Sequence, residues 1–264
     1  MAKRNVGGKR ATSGNWSAGL SNKAIQAQQT TDANTQVDTT TQAGDFGESY
    51  EDFLKMTEDQ KADAIEKAIA QPIPSHLSDT DFQRMLYNLD FNDKPDLVAD
   101  AKLDAMNGTE LFRTVNNVYD SANDLHYSPT DIAKQIQRGT TTRTSDTGGS
   151  MYGRGIYFAD SYRGSAGYGN YYDDITKTAI VRAKLNSNAK VINYYTASSG
   201  ASREISNGTK LGKLLSKCDS ASRPSIYAVV KGYNVINDTG YYNVLNRKAI
   251  TMSKDVKATS SKGW

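Results

Sequence analysis

An α+β fold with a helical preface is predicted by three observations. Between residues 48 and 106 the apolar side chains recur at helical spacing. After Gly108 the runs alternate as strands do, and the two kinds of segment do not interleave as regular βαβ units. With 264 residues the chain is long enough for one globular domain with appendages and short for two.

Residues 1–47 are rich in Thr, Gln, Asn, Ala, Gly and Ser, and a stretch such as QAQQTTDANTQVDTTTQAG buries too little apolar surface to offset its ordering entropy. A disordered arm is expected there, with a small basic cluster (Lys3, Arg4, Lys9, Arg10) that suits docking on a partner. Residues 48–106 are expected to form a cap of three short amphipathic helices. The first opens on the capping box Thr57 to Gln60, carries Ala62, Ile65, Ala68 and Ile69 at helical spacing, and stops at Gln71-Pro72. The second starts at Ser78 and aligns Phe82, Met85, Leu86 and Leu89; the third covers Pro95 to about Met106 and ends at Asn107-Gly108.

Residues 107–253 form the main domain. Strands are expected at Glu110 to Tyr119, Thr178 to Leu185, Lys190 to Tyr195, Ser225 to Val235 and Tyr241 to Met252, where β-branched and aromatic residues alternate with polar ones. Helices are expected from Ser128, with Pro129 in the first helical position, to near Gly139, and from about Arg203 to Cys218. Residues 254–264, with Lys254, Lys257 and Lys262, read as a solvated tail.

Composition narrows the function classes. A net charge of +3, from 32 basic against 29 acidic residues, gives too weak a field for a dedicated nucleic-acid binder. One cysteine, Cys218, leaves no intramolecular disulfide and reads as a small apolar filler at a helix end. His76 and His126 are isolated and read as surface or turn residues rather than metal ligands. The opening MAKRNVGGKR lacks an apolar stretch after its charges, and no run approaches the roughly 18 apolar residues of a membrane span, so a soluble, non-secreted protein is expected. Sixteen tyrosines against six phenylalanines, most of them between 150 and 245, supply flat faces with polar tips.

The densest chemical signal is Gly148 to Gly169, GGSMYGRGIYFADSYRGSAGYG. Glycines permit close backbone approach, Tyr157-Phe158-Ala159 read as a short strand, and Ser161 caps a short helix carrying Ser165 and Tyr168. The string Gly155-Ile156-Tyr157-Phe158-Ala159-Asp160, then Ser165-Ala166 and Tyr168, closely resembles the nicotinamide-pocket segment of poly(ADP-ribose) polymerases and related ADP-ribosyltransferases. That resemblance implies that Tyr157 and Tyr168 sandwich the nicotinamide ring of NAD and that Ser165 hydrogen-bonds its carboxamide. Leu111-Phe112-Arg113-Thr114-Val115 resembles the first core strand of the arginine-type transferases and implies that Arg113 holds NAD near its phosphates and ribose, work suited to a planar guanidinium fork.

The third expected element is a strand opened by a glutamate that faces the oxocarbenium-like charge as nicotinamide leaves. Tyr241-Tyr242-Asn243-Val244-Leu245-Asn246-Arg247 resembles that strand, and the glutamate position falls on Tyr242, or on Asn243 if the register slips by one. Neither side chain is a carboxylate, so weak or absent catalysis is expected; Asp238, just before the strand, and Glu204 are the candidate substitutes.

The resemblance covers about residues 106–253 and implies two small β-sheets packed at an angle, with NAD as substrate in the cleft and ADP-ribose passed to a macromolecular acceptor. As the alternative, the low-complexity arm, the fused helices and the missing glutamate also suit a weakened or inactive transferase fold kept as a bacteriophage virion protein, with virion subunits as partners. Virion or host cytoplasm is the location these readings imply.

Overall fold

The computed structural model describes residues 50–74, 79–89, 91, 94–116, 118–120, 125–138, 153–166 and 178–258. The arm over 1–47, His76, the loop following Arg138 and Tyr168 lie outside these residues. Three helices lead: α1 (Tyr50–Lys55), α2 (Glu58–Ile69) and α3 (Asp81–Asn88). The capping box at α2 forms in full, with Gln60 N donating to Thr57 Oγ1 (3.3 Å) and Thr57 N donating to Gln60 Oε1 (2.9 Å). At α3 the cap is Thr80, which accepts from Gln83 N at 3.2 Å, later in the chain than the Ser78 start expected from sequence.

In place of the expected third helix stand a strand, β1 (Asp96–Val98), and a single turn of helix, α4 (Asp100–Asp104). Pro95 and the β-branched Val98 make extended backbone cheap, and β1 gains a parallel partner, with Asp96, Leu97 and Val98 opposite Thr251, Met252 and Ser253. Next come β2 (Glu110–Asn116), the ribbon of β3 (Val118–Asp120) and β4 (Leu125–Tyr127), and α5 (Pro129–Arg138). β5 (Ile156–Ala159), α6 (Tyr162–Ala166) and β6 (Thr178–Leu185) follow, then β7 (Val191–Asn193), whose last residue caps α7 (Tyr194–Asn207) by accepting from Tyr195 N at 2.9 Å. Helices α8 (Lys210–Lys217) and α9 (Arg223–Val230) precede the hairpin of β8 (Val235–Asp238) and β9 (Tyr241–Val244), a 3-10 turn at Arg247–Ala249, β10 (Ile250–Ser253) and β11 (Lys257–Ala258).

Ser225 to Val230 were expected as a strand and are helical. The run Ile226, Ala228, Val229, Val230 is buried on all sides, which removes the periodicity that distinguishes a helix, and Pro224 starts it where its missing N–H is harmless. Lys257, expected in a solvated tail, pairs opposite Ile180 in β11 and forms an ion pair with Asp100 at 3.0 Å.

Mixed α/β architecture results: among the described residues, one sheet ordered β1-β10-β6-β2-β5-β9-β8-β7, with β11 extending β10 along β6, plus the two-stranded ribbon. The resemblance implied two sheets. The described strands are continuous, but β2 and β5 share a single residue pair, Phe112 with Ala159, so the sheet has two firmly paired halves joined at one seam.

Each face buries its own core. Under α5 lie Leu111, Val115, Ile156, Phe158, Val181, Val235, Val244 and Ile250, with Ile132 and Ile136 from the helix. On the opposite side, α1–α3 and α7–α9 enclose Phe53, Ile65, Met85, Leu215 and Ile226, with Ile236 from the sheet. Burying a large side chain of this kind stabilises by about 1.5–3 kcal/mol each.

Candidate functional site

Alternation along the strands decides which candidates meet. In β5, Ile156 and Phe158 enter the core beneath α5, so Tyr157 and Ala159 point to the other face. Tyr157 pairs across from Asn243 and Ala159 from Tyr241. Tyr242 therefore turns away from Tyr157 and packs beside Val244 against the α5-side core. Of the two register positions open in the sequence, Asn243 shares the face of Tyr157, and Tyr242 does not.

Arg113 reaches across the seam. Where β2 leaves β5 after the one shared pair, the carbonyl of Tyr157 accepts from Arg113 Nη1 at 2.9 Å. The next residue, Thr114, faces the Tyr157 side and meets Ser165 of α6, hydroxyl to hydroxyl, at 2.7 Å. Ser165 is 2% exposed and Tyr157 8%. Three of the four residues assigned to NAD are thus gathered around the β2–β5 seam, and each already makes a hydrogen bond within the protein.

The phenol of Tyr157 donates to Gly153 O at 2.5 Å, tucking its ring over the turn that leads into β5. That turn is fixed by a buried polar network. Ser225 Oγ accepts from Arg154 N (2.8 Å) and donates to Arg154 O (2.7 Å), and Asn243 Nδ2 also donates to Arg154 O (3.0 Å). Gly155 has φ +149°, and a Cβ there would lie 2.0 Å from Asn243 Oδ1, so only glycine allows the turn and Asn243 to meet. The close approach expected toward a ligand is, at this glycine, made to the protein's own asparagine.

Asp238 occupies the far end of β8, opposite Tyr241 across a two-residue turn at Thr239 and Gly240, and by alternation it faces the Tyr157 side. It is 5% exposed, and its carboxylate makes no hydrogen bond or ion pair among the described residues. Asp160 joins the same corner, its N–H donating to Gly240 O at 2.9 Å. Glu204, the other candidate carboxylate, lies elsewhere in the helical layer. It accepts from Thr209 Oγ1 at 2.6 Å and pairs with Lys231 at 3.0 Å, and these two bonds hold its carboxyl below the usual range.

Cys218 is buried, donates to Leu214 O, and its thiol is pushed up to about 12 by burial and by the Asp81 and Asp219 carboxylates. Such a thiol is inert at neutral pH. No protein-family model, curated protein or solved structure matches this chain. Among the described residues no helix is long and apolar enough to cross a membrane.

Sequence reasoning did not find Thr114 or Ser225. Thr114 was visible only as the neighbour of Arg113, and its alternate face acquires meaning once α6 is seen to pack on β2. Ser225 sat inside a run read as a strand, which hid its position over Arg154.

Proposed function

We propose that this chain is an NAD-binding, ADP-ribosyltransferase-like protein with attenuated catalysis. The observation that carries the reading is the adjacency of the three resembling segments: Arg113 on β2, Tyr157 on β5 and the Tyr241–Val244 strand are consecutive neighbours in the sheet, with Ser165 on the Tyr157 face and Arg113, which alternates with Leu111 and Val115, on the α5 face but bonded to the Tyr157 carbonyl. Segments 44 residues apart meet at the β2–β5 seam, where a single residue pair joins the two halves of the sheet, and the strand carrying Asn243 pairs along the other edge of β5.

In this reading Arg113 pairs with the phosphates of NAD, Tyr157 and Tyr168 bracket the nicotinamide, and Ser165 orients the carboxamide. The donors fit by exchange at Ser165, which must surrender Thr114 to a ligand, and that cost lowers affinity. Asp238 takes the carboxylate role, because it shares the face of Tyr157 while Tyr242 does not. A carboxylate there stabilises the positive charge that develops on the ribose as the bond to nicotinamide breaks.

Titration calorimetry with NAD tests the reading. Arg113→Ala and Ser165→Ala each weaken binding several-fold, and in a nicotinamide-release assay Asp238→Asn lowers turnover by about a hundredfold while Tyr242→Phe leaves it unchanged. Absence of NAD binding by the unaltered chain, with its fold intact by circular dichroism, rejects it. The inward engagement of Arg113, Tyr157 and Ser165 favours one second reading, a transferase fold retained as a bacteriophage virion component; it expects NAD binding without turnover, or neither.

A further inference from the structure

Where the chain turns into β5, a charged group is left without a partner among the described residues. Arg154 stands between Gly153 (φ +88°) and Gly155 (φ +149°), and its backbone is clamped twice, the N–H by Ser225 Oγ and the carbonyl by Ser225 and Asn243. Its side chain has no such anchor. Among the described residues the guanidinium makes no hydrogen bond or ion pair, and its buried Nε–H has no acceptor. Buried donors are nearly always paired, so an orphaned one on a charged group calls for an acceptor from outside the chain. Arg113 differs, because its Nη1 already donates to the Tyr157 carbonyl.

The surroundings place the guanidinium without satisfying it. It lies close enough to Asp219, in the loop between α8 and α9, for the two charges to act on each other. That carboxylate is already taken, Oδ1 by Ser222 N (3.0 Å) and Oδ2 by Ser222 Oγ (2.6 Å) and Asp81 N (3.2 Å). Three donors stabilise its charge, and Arg154 is not needed to do so. Asp219 belongs to the helical layer, so the Arg154 head lies on the side of the sheet that Tyr157 faces. The phenol of Tyr157 folds back onto Gly153 O, and its ring shares one turn with the arginine, their Cα atoms no more than about 11 Å apart. A flat ring beside a planar cation suits a ligand with an aromatic end and an oxyanion.

We propose that Arg154 is an anion anchor, binding a phosphate group of a nucleotide through the Nε–Nη edge of its guanidinium beside the Tyr157 ring. Two phosphate oxygens match that edge, which a point charge such as an ammonium cannot offer. In NAD one ribose separates the nicotinamide from the diphosphate, a span that the distance from Tyr157 to Arg154 covers. Naming the ligand as a nucleotide rests on the NAD reading; the orphaned guanidinium does not.

Calorimetry of the full chain with ADP-ribose, which carries the diphosphate without the nicotinamide, is the test, at about 150 mM salt to screen non-specific attraction. One saturable site is expected, weakened about tenfold or more by Arg154→Gln and restored only in part by Arg154→Lys, which keeps the charge and lacks the fork. Because the free guanidinium bonds to nothing, Arg154→Gln leaves the urea midpoint unchanged; a marked drop assigns the arginine to structure and overturns the proposal. Nicotinamide, titrated alone, separates the anchor from the NAD pocket. ADP-ribose binding that needs Arg154, without nicotinamide binding that needs Ser165, keeps the anchor and rejects the pocket. NAD and nicotinamide binding lost in Ser165→Ala, with ADP-ribose indifferent to Arg154→Gln, keeps the pocket and rejects the anchor. No saturable ADP-ribose binding, or full rescue by Arg154→Lys, also overturns the proposal.

Discussion

Thr239 is the one described residue other than glycine with a positive φ, at 43°. It occupies the first central position of the β8–β9 turn, where a β-branched side chain crowds its own backbone, and Gly240 at φ 86° completes the mirror-type turn. Thr239→Asn is expected to raise stability by about 1 kcal/mol, seen as a higher urea midpoint with unchanged slope. A lower midpoint would mean that the threonine hydroxyl does something the turn needs. Single positions were legible in the sequence where their signal was local. Thr57 and Gln60 are three residues apart and declare their cap outright. The contact of Thr114 with Ser165 spans 51 residues, and no local pattern encodes it.

Among the elements, packing overrode propensity wherever a short apolar run was ambiguous. α9 is the clearest case: its residues suit a strand, and burial by α7 on one side and the sheet on the other makes them a helix. β1 is the converse, a strand claimed from an expected helix by its pairing with β10. The alternating pattern of β6, by contrast, was legible in full because β2, β10 and β11 pair along it over its expected length. Helices α7 and α9 cross with Gly200 directly beneath the Tyr227 ring, where a Cβ would come within 2.3 Å of the ring carbon bearing the hydroxyl. Helix propensity alone favours Gly200→Ala by about 1 kcal/mol, yet the clash reverses the sign, and a net loss of about 1–3 kcal/mol is expected by denaturant titration. A second substitution, Tyr227→Leu, should restore most of that loss; additive losses would show that the two helices do not touch through this pair.

For the molecule as a whole, carboxylates bind the layers together and set its response to acid. Burial favours the neutral form of Asp219, but bonds from Ser222 and from the N–H groups of Asp81 and Ser222 hold its carboxyl below the usual range. Asp100 behaves alike: burial opposes its charge, and Ser253, Lys257 and Arg182 outweigh it. Each group's stabilising contribution is complete above the unfolded carboxyl value of about 4 and is lost as pH falls toward the lower native value. Urea midpoints should therefore drop between about pH 5 and pH 2, and Asp219→Asn should flatten part of that slope. A flat profile in the unaltered protein contradicts the assignment.

The insertion of β10 between β1 and β6 bears on how the chain reaches this state. Its neighbours are separated from it by about 150 residues on one side and about 65 on the other, and its loop-closure entropy must be met before any pairing is gained. Half the sheet consequently has no central partner until the last described residues have emerged from the ribosome. During synthesis β1 and the open edge of β6 wait as unpaired edges, the kind of surface on which nascent chains associate, and refolding of the intact protein is set by the arrival of β10.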